Sequence, residues 1–453
     1  MSTSYDVRVW KTETVRGARG NSFKVRWAVA GRRRKQSFRS AALADSFRSE
    51  LVAAARKGEA FDTETGRPAT APATPTTSWY EFACSYVDMK WPDAAGKSRM
   101  GIAETLATVT PVLLSERRGW PSDSAMRAVL YGWAFNSRAR NAADPRAAFA
   151  DVIRWLETHT VPVAELAKPQ LIRAVLARIG SKLDGSPAAA STVGRKRAVF
   201  NNALEYAVER GLLSQNPLAT LKTKKARTVE VVDKRVVASP EQAARLLDGV
   251  RQQGRTGRHL VVFFGLMYYS ALRPAEAAVL SKGDLAIPSE GWGELYLPKS
   301  APTTGAAWAD SGKRRDRRGL KHRPREEVRP VPCPPPLTEL LHAHLAEFGT
   351  AADGRLVRGV RGDDLSDSTY GRAWKKAREL ALTPEETASP LARRPYDLRH
   401  AAVSTWLNGG VPPTQVAEWA GHSVAVLLRV YATCIAGQGD VAREQIGRAL
   451  GLG

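Results

Sequence analysis

The chain has 453 residues, enough for two or three domains with separate cores. Lys and Arg outnumber Asp and Glu by 68 to 45, giving a formal net charge of +23, and an excess of that size points to a polyanionic partner, nucleic acid first. Cys84, Cys333 and Cys434 are far apart and show no CxxC spacing, which argues against a disulfide framework or a cysteine zinc site. The longest apolar run, HLVVFFGLMYYSAL at 259–272, is too short to span a bilayer and reads as a buried core helix. The first residues, MSTSYDVRVW, contain no apolar leader, so a cytoplasmic location is expected.

In chain order, YDVRVW, FKVRWA and RKQSF within residues 5–38 are short segments separated by glycine-containing turns, which predicts a small antiparallel sheet. A helix, SAALADSFRSELVAAARKG, follows and ends at Gly58. This unit carries Arg26, Arg32, Arg33, Arg34 and Lys35 among Trp10, Trp27 and Phe38, and a sheet of this size can lie in a DNA major groove. The stretch GRPATAPATPTTS, 66–78, reads as a semi-rigid linker. A helical block runs from Trp79 to about Leu221, and its last helix places Phe200, Ala203, Leu204, Ala207 and Val208 on one face before Gly211. Arg195, Lys196 and Arg197 stand at its start, where cations oppose the helix dipole and a phosphate would compensate them. After a basic hinge, Ser239, Pro240 and Gln242 form a capping box that opens a mostly helical region. Two strands interrupt it, ELYLP at 294–298 and VRPVPC at 328–333. Between them SGKRRDRRGLKHRPREEVRP holds nine Lys or Arg against three acids, a composition that suits a phosphate-contacting arm.

No internal repeat or heptad seam is present. GAAWADSGKR lacks the glycine spacing of a phosphate-binding loop, no HExxH occurs, and His342 and His344 point to different faces of a helix. Near the end, GHSVAVLLRVYATC sets His422 and Tyr431 nine residues apart, about 900° of helical rotation, so one site can use both only if the chain bends. Gly421 can end the helix VAEWA and place His422 at the next N-terminus. ALRPAEAAVL puts Arg273 before a helix start at Pro274, with Glu276 one turn on as an ion-pair partner, and RRPYDLRHAAVSTWLNGG puts Arg399 inside a helix beside His400. Two guanidinium forks could grip the nonbridging oxygens of one phosphate while a tyrosine hydroxyl attacks the phosphorus.

The order Arg in ALRPAE, Arg in YDLRH, Gly-His in AGHS and Tyr nine residues later resembles the catalytic domain of the tyrosine recombinases, the phage-integrase family. The helical block with NNALEYAVERGLLSQNPL is similar to that family's core-binding domain, and the N-terminal sheet looks like an integrase arm-binding domain. The resemblance implies a mainly α fold with small β-sheets. Its parts would be an arm-binding sheet-plus-helix domain at 1–60, a linker at 61–77, a SAM-like helical core-binding domain at 78–222, a linker at 223–238 and a mixed, mostly α catalytic domain at 239–453.

It implies a site-specific recombinase that integrates or excises a phage or mobile element through a 3'-phosphotyrosyl intermediate, without metal, ATP or other cofactor. Tyr431 would be the nucleophile, Arg273 and Arg399 the phosphate clamp, and His422 a further donor. The general acid would be a Lys on the hairpin. Lys321 in LKHRPREEVRPVP is preferred and Lys299 is the alternative. The family's usual His three residues before the second Arg is Tyr396 here. With an unperturbed pKa near ~10, a tyrosine is a poorer proton acceptor, and helical geometry turns His400 about 100° from Arg399. Implied partners are double-stranded attachment-site DNA, three further copies in a DNA-bound homotetramer linked through the tail IAGQGDVAREQIGRALGLG, and an excision factor or DNA-bending protein. The alternatives are a catalytically silent DNA-binding relative, for which Tyr396 speaks, and a type IB topoisomerase.

Overall fold

The computed structural model describes residues 3–17, 20–69, 77–115, 119–142, 147–221, 231–317, 319, 327–359, 362–431, 434, 443 and 446–451. They fall into two units, Met1–Thr77 and Ser78–Gly453. The architecture is mostly helical with small antiparallel sheets, as the sequence pattern predicted.

The first unit is organised by the ten-residue strand Gly20–Val29. One of its edges pairs along its length with Arg32–Phe38, while the other pairs with Glu13–Gly17 over its first half and with Val7–Val9 over its second. Ala30 and Gly31 both have positive φ, the geometry a two-residue hairpin turn requires to match strand twist. Strand alternation buries Val25, Trp27 and Val29 against Ala44, Leu51 and Ala54 of the helix Ala41–Arg56, which is capped by Ser40. The strand Glu13–Gly17 was not expected, because Gly17 follows Arg16 in what reads as a turn. The unit also continues past residue 60. Phe61 is fully buried, Phe61–Asp62 pairs with Thr3–Ser4, and the indole Nε1 of Trp27 donates to the Gly66 carbonyl at 2.6 Å.

In the second unit a capping box of Ser78 and Glu81 starts the helix Trp79–Lys90. With Gly96–Val109, Ala147–His159, Pro169–Ile179 and Ala190–Glu209 it encloses an apolar core around Trp79, Phe82, Leu106, Ile172 and Phe200. The predicted stripe of Phe200, Ala203, Leu204 and Ala207 is buried there. A second core gathers the helices Pro240–Arg251, Gly254–Tyr269, Pro335–Phe348, Asp367–Ala381 and Asp397–Asn408 around Leu246, Phe263, Phe264, Leu337, Trp374 and Leu398. The apolar run at 259–272 supplies its centre, and no described helix is long and apolar enough to cross a membrane.

A three-stranded sheet, Leu285–Ala286, Gly293–Leu297 and Arg329–Cys333, turns Leu295, Leu297, Val331 and Cys333 into the same core. Pro330 and Pro332 lack a ladder N–H, which fits this strand's place at the sheet edge. A smaller cluster of Ala402, Val403, Val416, Leu427 and Tyr431 fastens the helices Pro413–Ala420 and Val424–Tyr431 to Asp397–Asn408. Of the expected exchanged tail, only 443 and 446–451 lie within the described residues.

Candidate active site

Arg273 precedes the short helix Pro274–Ala277, and its backbone N–H donates to Glu276 Oε2 at 2.8 Å. Its guanidinium Nη1 donates to Glu276 Oε1 and its Nη2 to the Gly421 carbonyl, each at 2.8 Å. The expected ion pair with Glu276 is therefore present, and it orients the arginine without using all of its fork. Glu276 is 1% exposed and also accepts from Arg329 Nη2 at 2.8 Å. Burial alone would raise its pKa, but Arg329, Arg273 and Arg399 hold the carboxyl down at about 2. Two guanidinium groups thus bond this one carboxylate, and the charge of a third, Arg399, acts on it without a bond.

Arg399 is fully buried on the helix Asp397–Asn408. Its Nη1 donates to the Ala271 carbonyl and its Nη2 to the Ala420 carbonyl and to His422 Nε2, the last at 3.0 Å. Gly421 ends the helix Pro413–Ala420 in the left-handed region at φ 63°, and a Cβ there would fall 2.2 Å from Arg329 Nη1 and 3.2 Å from Arg273 Nη1. Only glycine fits both the turn and the crowded arginines. His422 lies ahead of the helix Val424–Tyr431 and not on it, so the two residues do not share one continuous helix, and their ring centroids come within 6.2 Å.

Arginine has no acceptor, so His422 Nε2 must accept and its proton must sit on Nδ1. Burial first, then the charges of Arg399, Arg273 and Arg329, push His422 down to about 3, so its imidazole is neutral. Its Nδ1 and Arg399 Nε are buried without a hydrogen-bond partner among the described residues. Two buried donors beside an excess of positive charge suit an anionic acceptor.

Tyr431 is fully buried at the end of the helix Val424–Tyr431, and burial raises its hydroxyl above the ordinary tyrosine range against the opposing charge of Arg399. Its hydroxyl lies 2.9 Å from His400 Nδ1. Burial, with Arg399 and Arg394, lowers His400 to about 4, so it is neutral near pH 7. Sequence reasoning set His400 aside because it points away from Arg399, but Tyr431 arrives from a different helix and meets it there. Tyr396 packs edge-on against His400 with ring centroids 5.1 Å apart.

Lys321 lies outside the described residues. Lys299 follows the strand Gly293–Leu297, in which Leu297 pairs with Arg329, and two residues later Ala301 N–H donates to the Ala275 carbonyl at 2.9 Å. Lys299 and Glu276 line the same cavity of about 160 Å³.

The basic residues singled out for DNA separate by environment. Arg26 and Lys35 are cross-strand partners on the sheet face away from the helix, Arg33 shares that face opposite Ala28, and Arg32 is exposed at the hairpin end. Arg34 is in the opposite phase and donates from Nη2 to the Thr63 carbonyl at 2.9 Å. Arg195 is exposed and Arg197 half-buried, whereas Lys196 is 8% exposed and donates to Glu104 at 3.1 Å and Thr108 at 2.8 Å. Arg34 and Lys196 hold the fold together in these positions.

No family model matches the chain. It is similar to the tyrosine recombinase XerC of Mycobacterium tuberculosis and of Mycobacterium bovis, 26% identical over 259 residues that cover 54% of this chain and 74% of the relative. Among solved structures it is similar to the Tn1549 transposon integrase in complex with transposon right end DNA, with TM-score 0.53, 14% identity, and coverage of 82% of this chain and 99% of that one. It is also similar to the XerH site-specific recombinase bound to palindromic difH substrate, with TM-score 0.50, 10% identity, and coverage of 83% and 97%. The two solved structures share the fold. The likeness to the XerC recombinases, with Arg273, Arg399, His422 and Tyr431 gathered at one site, agrees with the resemblance to the tyrosine recombinase, or phage-integrase, family.

Proposed function

We propose that the protein is a site-specific DNA recombinase of the integrase type, which cuts and rejoins attachment-site DNA through a 3'-phosphotyrosyl intermediate. The observation that carries this reading is the Tyr431 hydroxyl held against a neutral His400 beside an arginine cluster with two unpartnered donors. Tyr431 attacks the scissile phosphorus, its proton passes to His400 Nδ1, and the bond from phosphorus to the 5'-oxygen breaks. Arg273 and Arg399 stabilise the charge on the pentacoordinate phosphorus, and His422 Nδ1–H donates to a nonbridging oxygen. Tyr396 takes no proton in this scheme and packs edge-on against His400. Lys299, held beside the Glu276 cavity, protonates the leaving 5'-oxygen, with Lys321 as the competing candidate.

The division into arm-binding, core-binding and catalytic domains belongs to the same proposal, as do a homotetramer on DNA and an excision factor or DNA-bending protein. The exposed face bearing Arg26, Arg33 and Lys35 supports the arm-binding assignment. A nicked suicide duplex carrying the native attachment site tests the reading. Wild type is expected to form a covalent adduct and Tyr431→Phe none, with His400→Ala slowed roughly 10²–10⁴-fold, the usual worth of a positioned acid or base. DNA binding without an adduct from wild type would favour the silent relative, and relaxation of supercoils without exchange of paired sites would favour the topoisomerase.

A further inference from the structure

An antiparallel pair can be closed by two residues, yet residues 298–328 intervene between the strands Gly293–Leu297 and Arg329–Cys333. The first part of this excursion is an ordered strap. It closes on itself through the Thr303–Arg315 bridge, with Thr304 N–H donating to the Arg314 carbonyl at 3.0 Å and Asp316 N–H to the Pro302 carbonyl at 3.1 Å.

Its tip leaves the catalytic half altogether. Trp308 is 6% exposed and belongs to the apolar core of the helical block, with ring centroids 5.1 Å from Tyr131 and 5.9 Å from Trp91. Arg99, itself 4% exposed over the Trp91 ring, donates from Nη1 to the Trp308 carbonyl at 3.1 Å and to Asp310 at 2.6 Å. Arg138 donates to the Ala309 carbonyl at 2.6 Å and Asn136 to the Ala307 carbonyl at 3.2 Å. Gly96 leaves the room this approach needs, since a Cβ there would lie 3.0 Å from the Trp308 carbonyl oxygen.

The base of the strap is tied to the active site. Arg315, 4% exposed, donates to the carbonyls of Ala301 and Leu365, and Ala301 N–H in turn donates to Ala275, two residues after Arg273. Lys299 lies between this anchor and the Leu297–Arg329 pair.

We propose that Trp308 is a positioning residue: its insertion into the Trp91–Tyr131 box of the helical block fixes the strap, and through Arg315 and Ala301 fixes the backbone that carries Lys299. Protonation of the leaving oxygen then depends on the helical block being docked. This rests on the reading of Lys299 as the proton donor.

The experiment compares suicide duplexes with a normal 5'-oxygen or a bridging 5'-sulfur at the cleaved position, because a thiolate leaves without needing a proton. Lys299→Ala serves as the reference. On the oxygen substrate Trp308→Ala is expected to cleave roughly 10²-fold or more slowly, within the range of a lost general acid, with DNA affinity within about threefold of wild type for a group that only positions another. On the sulfur substrate its rate should return to within about threefold of wild type, again because the acid is bypassed. Trp308→Phe should keep most of the activity. Arg138→Ala, which loosens the strap without emptying the core, should show the same split in smaller measure and carries the test if Trp308→Ala does not fold. A defect equal on both substrates, or no defect on the oxygen substrate, overturns the inference. Absence of an adduct from wild type on either duplex would instead overturn the recombinase reading.

Discussion

Glu276, itself buried, stands between the partly exposed Arg273 and the buried Arg329. Its pairing with Arg273 was legible from spacing alone, since residues three apart on a helix are neighbours. Arg329 was not, because it comes from a strand that reaches Glu276 only after the sheet has packed. Glu276→Gln would leave a buried guanidinium without its counter-charge, and the expected cost is about 3–5 kcal/mol, the usual penalty for breaking a buried pair, read as a lower urea midpoint at unchanged slope. The histidines predict a pH dependence. His259, His344, His400 and His422 are all lowered by burial from the usual 6.5. Between that value and about 4 the unfolded chain therefore binds protons that the native state refuses. Stability should be complete above about pH 6.5 and fall as the solution is acidified toward pH 4, the sign required for a depressed native pKa. Thermal melts across this window check it, and a His400→Gln, His422→Gln double variant should flatten the slope by roughly half, since it removes two of the four groups.

At the scale of elements, period and phase were not equally legible. Helices with a clean apolar stripe and a marked end, Gly211 after Ala190–Glu209 and the Ser239 capping box before Pro240–Arg251, could be read directly. The run Arg32, Arg33, Arg34, Lys35 could not be phased, because consecutive basic residues satisfy both faces of a strand. The pairing of Arg34 with Trp27 decides it, since Trp27 faces the helix Ala41–Arg56. Arg33→Ala is therefore expected to weaken binding of arm-site DNA and to lower the slope of log affinity against log salt by about 0.9 for one lost phosphate contact. Arg34→Ala should lower the melting temperature through loss of the Thr63 bond and leave that slope unchanged. Fluorescence anisotropy over a KCl series separates the two. Equal salt slopes for both variants would mean that DNA does not lie on the face bearing Arg26, Arg33 and Lys35. Lys196 repeats the lesson on a helix, where the run Arg195–Arg197 looked like one patch and burial at Glu104 removed its middle member.

For the whole molecule, what the sequence offered was an order of parts, and what it withheld was how some parts depend on others. The N-terminal unit has its own sheet, helix and core. The helical block, by contrast, takes Trp308 from a segment that follows it in the chain by some ninety residues, a relation that no local pattern encodes. These two facts predict opposite results from taking the molecule apart. Removing residues 1–77 should leave adduct formation on a short core-site duplex within about threefold of the full chain, because Arg273, Arg399, His400, His422 and Tyr431 all lie in the second unit. Recombination of long substrates bearing both arm and core sites should fall by roughly 10²–10⁴-fold, the gain that a tethered second binding module supplies through effective concentration. Both are read with the same protein preparation, one by gel-resolved adduct and the other by exchange between two plasmids. If core-site cleavage fell as far as recombination, the N-terminal unit would be acting on the catalytic half itself. If neither fell, the basic sheet would have no arm sequence to bind, and the charge it carries would serve only general attraction to DNA.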